Sequence, residues 1–204
     1  MKKLFESDSL KYNVHYADKF EILDLEERRL HINGEIDNEI IDTICYHIRR
    51  YNQEDLEVPI SSRTPIKIFI TSNGGSVNDG YAAIDSILTS VTPVHTIVLG
   101  YAMSMGLLIS LAGHVRYTFE SARYLLHDGS SFAFDSTSKL IDRVDFDKEA
   151  EQRTKEYIIS RSNITSDFYD KIYRVELYLF ADQAKEHGFV DYIIGKDCKL
   201  EEVL

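Results

Sequence analysis

Three short runs hold residue types that perform acyl transfer. Ser104 lies in Gly100-Tyr101-Ala102-Met103-Ser104-Met105-Gly106, between an apolar run that reads as a strand and one that reads as a helix. A serine at such a corner sits near the positive end of the helix dipole. The N–H of the next residue, Met105, is one of the helix's opening donors and has no intrahelical acceptor. That suits a nucleophile with a backbone donor beside it for an oxyanion. It also suits a plain helix N-cap, the commoner role when Ser104 is taken alone. The second run is Asn73-Gly74-Gly75-Ser76-Val77. Two glycines allow close backbone approach to a ligand and free choice of N–H direction; an ordinary tight turn needs no more than this. No Lys-Ser/Thr pair follows, which argues against a phosphate loop. The third is His127, which closes Tyr124-Leu125-Leu126 and precedes Asp128-Gly129-Ser130-Ser131. A lone histidine is more often structural than catalytic. Open α/β sheets, however, place their sites at the C-terminal edges of strands, where all three runs fall. Together they describe serine acyl transfer: Ser104 attacks, His127 takes its proton, and the N–H groups of Gly75 and Met105 bind the oxyanion.

The elements that must position these residues follow from apolar periodicity. From Arg28 onward the chain alternates short apolar runs with helix-period segments. Arg29 to Ile36 reads as a strand. A helix follows with Ile40, Ile41, Ile44, Cys45 and Ile48 on one face, capped by Asp37 or Asn38. Ile66 to Ile70 is a strand, Thr71 to Gly75 a turn, and the next helix carries Val77, Tyr81, Ile84 and Leu88 on one face. Val94 to Leu99 is a strand. Met105 to Ala112 is apolar nearly all round, as a buried helix must be, with Gly113 as its stop. Val115 to Phe119 and Tyr124 to Leu126 are strands; a short helix near Asp182 to His187 and a strand over Phe189 to Ile194 close the chain. Strands alternating with helices predict an α/β fold with a largely parallel sheet. Residues 1–27 are mixed and polar without a sustained period and read as an N-terminal arm; 28–204 read as the domain. Residues 137–162 predict one long, highly charged helix with a thin stripe of Leu140, Ile141, Val144, Tyr157 and Ile158. Such a helix buries itself poorly on its own domain and often packs against a copy of itself or a partner.

Composition bounds the function. The chain has 204 residues, 44% apolar and 28% charged, the proportions of one globular domain. Lys plus Arg number 23 against 34 Asp plus Glu, a net charge of -11. An acidic surface repels phosphate backbones, so nucleic acid is not an expected partner. Two cysteines, Cys45 and Cys198, form neither a disulfide framework nor a metal-ligand cluster. They read as free thiols, and neither a metal nor another cofactor is expected. The longest apolar stretch, Ile97 to Ala112, is broken by Gly100, Ser104, Gly106 and Ser110 and falls short of the roughly 20 residues a bilayer needs. No secretory signal pattern opens the chain. The expected setting is the cytoplasm, with no membrane contact.

Taken in order, Asn73-Gly74-Gly75-Ser76-Val77, Ala102-Met103-Ser104-Met105-Gly106, Arg123-Tyr124-Leu125-Leu126-His127 and Ala181-Asp182-Gln183-Ala184-Lys185-Glu186-His187-Gly188-Phe189-Val190-Asp191 resemble the proteolytic subunit of the Clp protease. The resemblance covers roughly residues 28 to 195. It implies the ClpP/crotonase fold, a repeated ββα spiral, with 137–162 as a protruding handle helix. It also implies a serine endopeptidase assembled as two stacked heptameric rings around a chamber. An AAA+ unfoldase ATPase would feed unfolded polypeptide substrates, and the subunit alone would cut only short peptides. Substrate strands would lie along the segment after the histidine, here Gly129, Ser130, Ser131 and Phe132 onward to Phe134.

Three departures stand out. Asn73 replaces the family's proline before the two glycines. The Gly-rich stretch after the histidine is poorer in glycine. The third triad member, an Asp in the family, has no Asp counterpart between Ile172 and Ala181. These features point to a divergent subunit, of viral or accessory type. Glu176 is the one acid in that interval and the candidate to replace the Asp. Asp167 and Asp170 in the preceding segment are alternatives, and an exposed, uninvolved Glu176 is another reading. A catalytically weak ring subunit with a structural or regulatory role is the main alternative function. An acyl-CoA enzyme of crotonase type would use carboxylates rather than a Ser-His pair. A signal-peptide peptidase would use a Ser-Lys dyad and a membrane anchor.

Overall fold

In a computed structural model the described residues are 16–129, 134–172 and 175–204. In chain order they form α1 (Tyr16–Glu26), β1 (Arg29–Ile36), α2 (Tyr46–Glu54), β2 (Ile66–Gly75), α3 (Val77–Leu88), β3 (Val94–Met103), α4 (Met105–Ala112), β4 (Val115–Phe119), β5 (Arg123–Leu126), α5 (Thr137–Ser160), α6 (Ser166–Ile172), β6 (Leu177–Phe180), α7 (Ala181–Glu186) and β7 (Tyr192–Ile194). The sheet runs β1-β2-β3-β4-β7, with β5 branching from β3 and β6 pairing β5. Every described strand pair is parallel except β5 with β6. The α/β fold with a parallel-dominated sheet is therefore as expected.

The branch at β3 is what builds the site. The first half of β3, His95 to Val98, pairs β4; its second half, Tyr101 to Met103, pairs β5. The registers of β1 and β2 shift between Asn33 and Glu35, and those of β2 and β3 between Ile70 and Ser72. Bulges at one level bend the strands together and re-aim their C-terminal halves. Between these pairs β1 advances two residues and β2 three, so the extra residue lies in β2, opposite Gly34 at φ +102°. The segment expected as a turn, Thr71 to Gly75, is therefore strand. The Gly-Gly pair is extended backbone paired with Glu35 and Ile36. Pairing with β1 overrides the local turn signal of Asn-Gly-Gly, because the ladder satisfies backbone groups that a free turn leaves to solvent.

The core lies between this sheet and α2, α3 and α4. Ile66, Ile68, Ile70, Val94 and Ala102 meet Ile44, Ile84, Ile87, Leu107 and Leu111, all essentially buried. Each residue of α4 is buried, as its unbroken apolar run requires. The buried stripe of α3 is Gly80, Ala83, Ile84 and Ile87; Val77 is 53% exposed and Leu88 38%. Of the expected face, Ile84 is buried and Tyr81 packs half-buried against the core, whereas Val77 and Leu88 turn outward. The reason is Gly80, where a Cβ would fall 2.2 Å from Met105 Cγ. The absence of a side chain there lets α3 close on α4. The helix expected from Ile40 opens with a π-helical stretch over Ile41–Cys45, which turns Ile41 toward solvent and keeps Ile40, Ile44 and Ile48 inside. Asp37 does act near its start, accepting the Glu39 N–H at 2.9 Å.

Residues 16–26 are helical although no period announced it. The end of α1 is tied to the core: Tyr51 donates its hydroxyl to the Leu25 carbonyl at 2.7 Å, and His31 Nε2 meets Asp24 Oδ2 at 2.9 Å. At 24 residues, α5 is about 36 Å long. Its C-terminal end is anchored by buried Ile158 and by Tyr157, which donates to the Leu108 carbonyl at 2.9 Å. Its N-terminal half leaves Ile141, Val144 and Phe146 in solvent, Phe146 at 71% exposure.

One buried ion pair locks β1 to the end of α2. Asp55 is 3% exposed and takes Arg28 Nη1 at 2.6 Å and Nη2 at 2.9 Å, with the Thr92 hydroxyl at 2.7 Å. The Arg28 hydrogen bonds hold the Asp55 carboxyl below the usual carboxylate range, against the opposing effect of burial. A depressed folded pKa contributes stability that is complete above the ordinary carboxylate pKa. It is lost as pH falls through the folded value. Asp55→Asn is expected to cost about 3–5 kcal/mol at neutral pH, because Arg28 is left without its buried partner. In denaturant titrations the gap to wild type should narrow toward pH 3. A gap of the same size at both pH values would contradict this account.

Candidate active site

Ser104 is the hinge between β3 and α4. Its φ of 52° and ψ of -124° place a non-glycine residue in a left-handed region, at a cost of about 1–3 kcal/mol. Two backbone bonds hold it there: its N–H donates to the Leu125 carbonyl at 2.9 Å, and its carbonyl accepts the Leu108 N–H at 3.2 Å. The side chain makes no capping bond to α4. The N-cap role, which had the better claim from sequence, is therefore not what Ser104 does. A strained serine on a sharp strand-to-helix turn, with its hydroxyl uncommitted, is the arrangement of a nucleophile elbow.

The Gly-Gly run is built against this corner. A Cβ on Gly74 would lie 2.8 Å from Ser104 Cβ, 2.9 Å from the Met103 carbonyl oxygen and 3.0 Å from the Met105 nitrogen. Only glycine fits, and its φ of +99° is a second reason for glycine there. A Cβ on Gly75 would lie 2.2 Å from the Ile36 carbonyl oxygen, so Gly75 permits the close approach of β1. Gly74 donates its N–H to Ser72 Oγ at 3.0 Å, and the Ile36 carbonyl takes the N–H of Ser76 at 2.7 Å. Met105 opens α4, so its N–H has no intrahelical acceptor. Its side chain is buried over Gly80. Gly106 continues the close packing, since a Cβ there would sit 3.0 Å from the Ser72 carbonyl oxygen.

Strand register brings in the histidine. β3 and β5 pair Tyr101 with Arg123, Ala102 with Tyr124 and Met103 with Leu125. One step on, Ser104 stands level with Leu126, and His127 is the next residue along. No hydrogen bond joins the Ser104 hydroxyl to the His127 ring. Such bonds are commonly long in the absence of substrate and tighten in the reacting complex.

The same logic places Glu176. β5 and β6 are antiparallel, pairing Arg123 with Phe180, Tyr124 with Leu179, Leu125 with Tyr178 and Leu126 with Leu177. The ladder ends with Leu126 opposite Leu177, which leaves His127 and Glu176 as the residues just beyond its last pair. Glu176 is exposed, and its Oε2 accepts the Tyr178 hydroxyl at 3.0 Å. Of the two alternatives, Asp170 is engaged elsewhere, with its Oδ1 on Lys155 Nζ at 2.5 Å. Asp167 lies in the first turn of α6. Of the expected substrate segment, Gly129 is exposed with open space around it and Phe134 is 93% exposed. Ser130, Ser131 and Phe132 lie outside the described residues.

Two contributors escaped the sequence reading. Gly74, rather than Gly75, packs against the Ser104 corner, and the Tyr178 hydroxyl donates to Glu176. A positive-φ glycine next to a strained serine is a tertiary fact with no local signature. The i, i+2 spacing of Glu176 and Tyr178 was visible but had no meaning until the segment was known to be extended. No group of three or more His, Cys, Asp or Glu side chains among the described residues is arranged to hold a metal ion. No helix among them is long and apolar enough to cross a membrane.

Comparison with known proteins bears on this arrangement. The family model described as Clp protease matches residues 13–197. The ATP-dependent Clp protease proteolytic subunit 2 of Treponema pallidum is 30% identical over 179 residues, 86% of each chain. Proteolytic subunit 1 of Corynebacterium jeikeium is 28% identical over 172 residues, 83% of this chain and 88% of that one. Proteolytic subunit 1 of Streptomyces avermitilis is 29% identical over 177 residues, 83% of this chain and 76% of that one.

Proposed function

The chain belongs to the Clp protease family, and from that premise we propose that it is a serine endopeptidase, the proteolytic ring subunit of an ATP-dependent Clp-type protease. The observation that carries the proposal is the Ser104 corner: a strained serine with an uncommitted hydroxyl, one register step from His127 and packed against Gly74. On this reading Ser104 Oγ attacks the scissile carbonyl while His127 takes its proton. The N–H groups of Gly75 and Met105 stabilise the oxyanion that forms. Collapse of the tetrahedral species breaks the C–N bond, and His127 returns its proton to the departing amine. Water, deprotonated by His127, then releases the acyl group from Ser104. Glu176 holds the imidazole in the accepting tautomer, and the substrate strand runs along Gly129 to Phe132.

A fluorophosphonate probe is the direct test. It should label the wild-type chain and not Ser104→Ala. An unlabelled wild type would favour the other reading, a catalytically weak ring subunit with a structural or regulatory role.

We also propose the ring. The support is the N-terminal half of α5, where Ile141, Val144 and Phe146 are exposed on a helix too long for the domain beneath it. Interleaving such helices between two stacked heptameric rings would cover these side chains. Light scattering should then report a particle many times the 23.5 kDa of one chain. A strict monomer at micromolar concentration would remove both the ring and the handle. Within this proposal the subunit cuts short peptides unaided, and an AAA+ unfoldase ATPase supplies longer polypeptides. The proposed compartment is the cytoplasm, in keeping with the free thiols of Cys45 and Cys198.

A further inference from the structure

We propose that Tyr178 is a positioning residue whose hydroxyl orients the Glu176 carboxylate toward His127; this rests on Glu176 being the third member of the triad. The geometry has three parts. Glu176 and Tyr178 are two residues apart at the start of β6, so their side chains rise from the same face of one extended segment. Tyr178 pairs with Leu125, and His127 lies just beyond the last pair of that ladder, as Glu176 does. The Tyr178 hydroxyl donates to Glu176 Oε2 at 3.0 Å, which leaves Oε1 as the acceptor for an imidazole N–H.

Physical need and observation agree. Glu has one more side-chain torsion than Asp, and Glu176 is exposed, so nothing but a specific partner restricts it. Tyr178 is itself 58% exposed. A Phe would offer the same ring at that surface; the hydroxyl is what the position adds. The bond to the Glu176 carboxylate also raises the Tyr178 hydroxyl above its ordinary range, so it is a donor at neutral pH. Leu125 ties the unit to the nucleophile, since its carbonyl accepts the Ser104 N–H and its strand partner is Tyr178. Among the described residues, the ionisable side chains on the two facing segments are Arg123, Tyr124, His127 and Asp128 on one, and Glu176 and Tyr178 on the other; Met103 and Ser104 of β3 add none.

The test is Tyr178→Phe in the assembled protein, read by steady-state cleavage of a short fluorogenic peptide. Loss of one hydrogen bond to a charged group is expected to lower kcat about tenfold with KM unchanged. A less well-placed carboxylate stabilises the imidazolium less, so the acidic limb of kcat/KM moves to lower pH. In a Glu176→Ala background, Tyr178→Phe should change neither kcat nor the profile. Wild-type kcat and profile in Tyr178→Phe, with Glu176→Gln inactive, would overturn the positioning role and leave the triad intact. So would a faster Tyr178→Phe enzyme, which would mean that the tyrosine draws Glu176 away from His127. An equal loss in the Glu176→Ala background would reduce Tyr178 to a structural contact. Wild-type activity in Glu176→Gln would instead remove Glu176 from the triad, and Tyr178 with it.

Discussion

Ser104→Ala is expected to lower peptide turnover by about 10⁶-fold, and His127→Ala by a similar factor. The double replacement should cost little more than either alone. The reason is that the two groups act as a unit. Without the base, the Ser104 hydroxyl is a weak nucleophile; without the hydroxyl, the base has no proton to take. What remains is catalysis by the oxyanion donors and by substrate positioning, which neither change touches. The strained backbone at Ser104 sharpens the prediction. Its φ of 52° is held by bonds from its own N–H and carbonyl, not by its side chain. Alanine at that position therefore keeps the corner and removes only the oxygen. Steady-state peptide hydrolysis, with assembly followed by light scattering, checks both points. Retention of most activity by Ser104→Ala would end the serine-peptidase reading, as would additive losses in the double variant.

Glu176→Gln is expected to reduce turnover by about 10⁴-fold while assembly is unchanged. The third member of a serine triad contributes less than the nucleophile; in subtilisin its removal costs roughly 3 × 10⁴. Gln preserves the size of Glu176 and its capacity to accept from Tyr178. It lacks the negative charge that stabilises the imidazolium and the symmetry that fixes the tautomer. Because Glu176 is exposed and lies beyond the last β5–β6 pair, the substitution should leave the fold alone. The measurement is kcat for a short peptide beside the thermal midpoint. Unchanged kcat would exclude Glu176, and the search would move to Asp167. A large drop in the thermal midpoint would show that the loss in rate came from the fold.

The parts of the fold legible in the sequence are those whose signal is local. Ile66 to Ile70, Val94 to Leu99 and Met105 to Ala112 are runs in which neighbouring residues meet the same buried environment, so apolar density alone marks them. The long charged helix of α5 is legible for the same reason, since its thin stripe and many charges describe a surface within a few turns. Where small residues set the packing, the local signal misleads. The face of α3 was placed on its largest apolar residues, yet the helix docks through Gly80 and Ala83 because Met105 needs the space. α1 carried no period at all and is held by partners remote in sequence, among them Tyr51.

For the candidate site, the chemical inventory is local: a serine at a strand-to-helix corner, a glycine pair, a histidine at a strand end and a single acid before the tail helix. These follow from residue type and from the position of each residue relative to its own element. The tertiary structure decided which of them are neighbours. Ser104 and His127 are brought within one register step only because β3 abandons β4 and pairs β5 beyond Gly100. His127 and Glu176 both come just past the last β5–β6 pair only because β6 runs antiparallel to β5 with Leu126 opposite Leu177. Register is a sum of contacts between segments far apart in the chain, and a shift by one residue would turn every side chain to the other face. No window of the sequence contains that sum, which is why the residues of the site could be read before the structure and their arrangement could not.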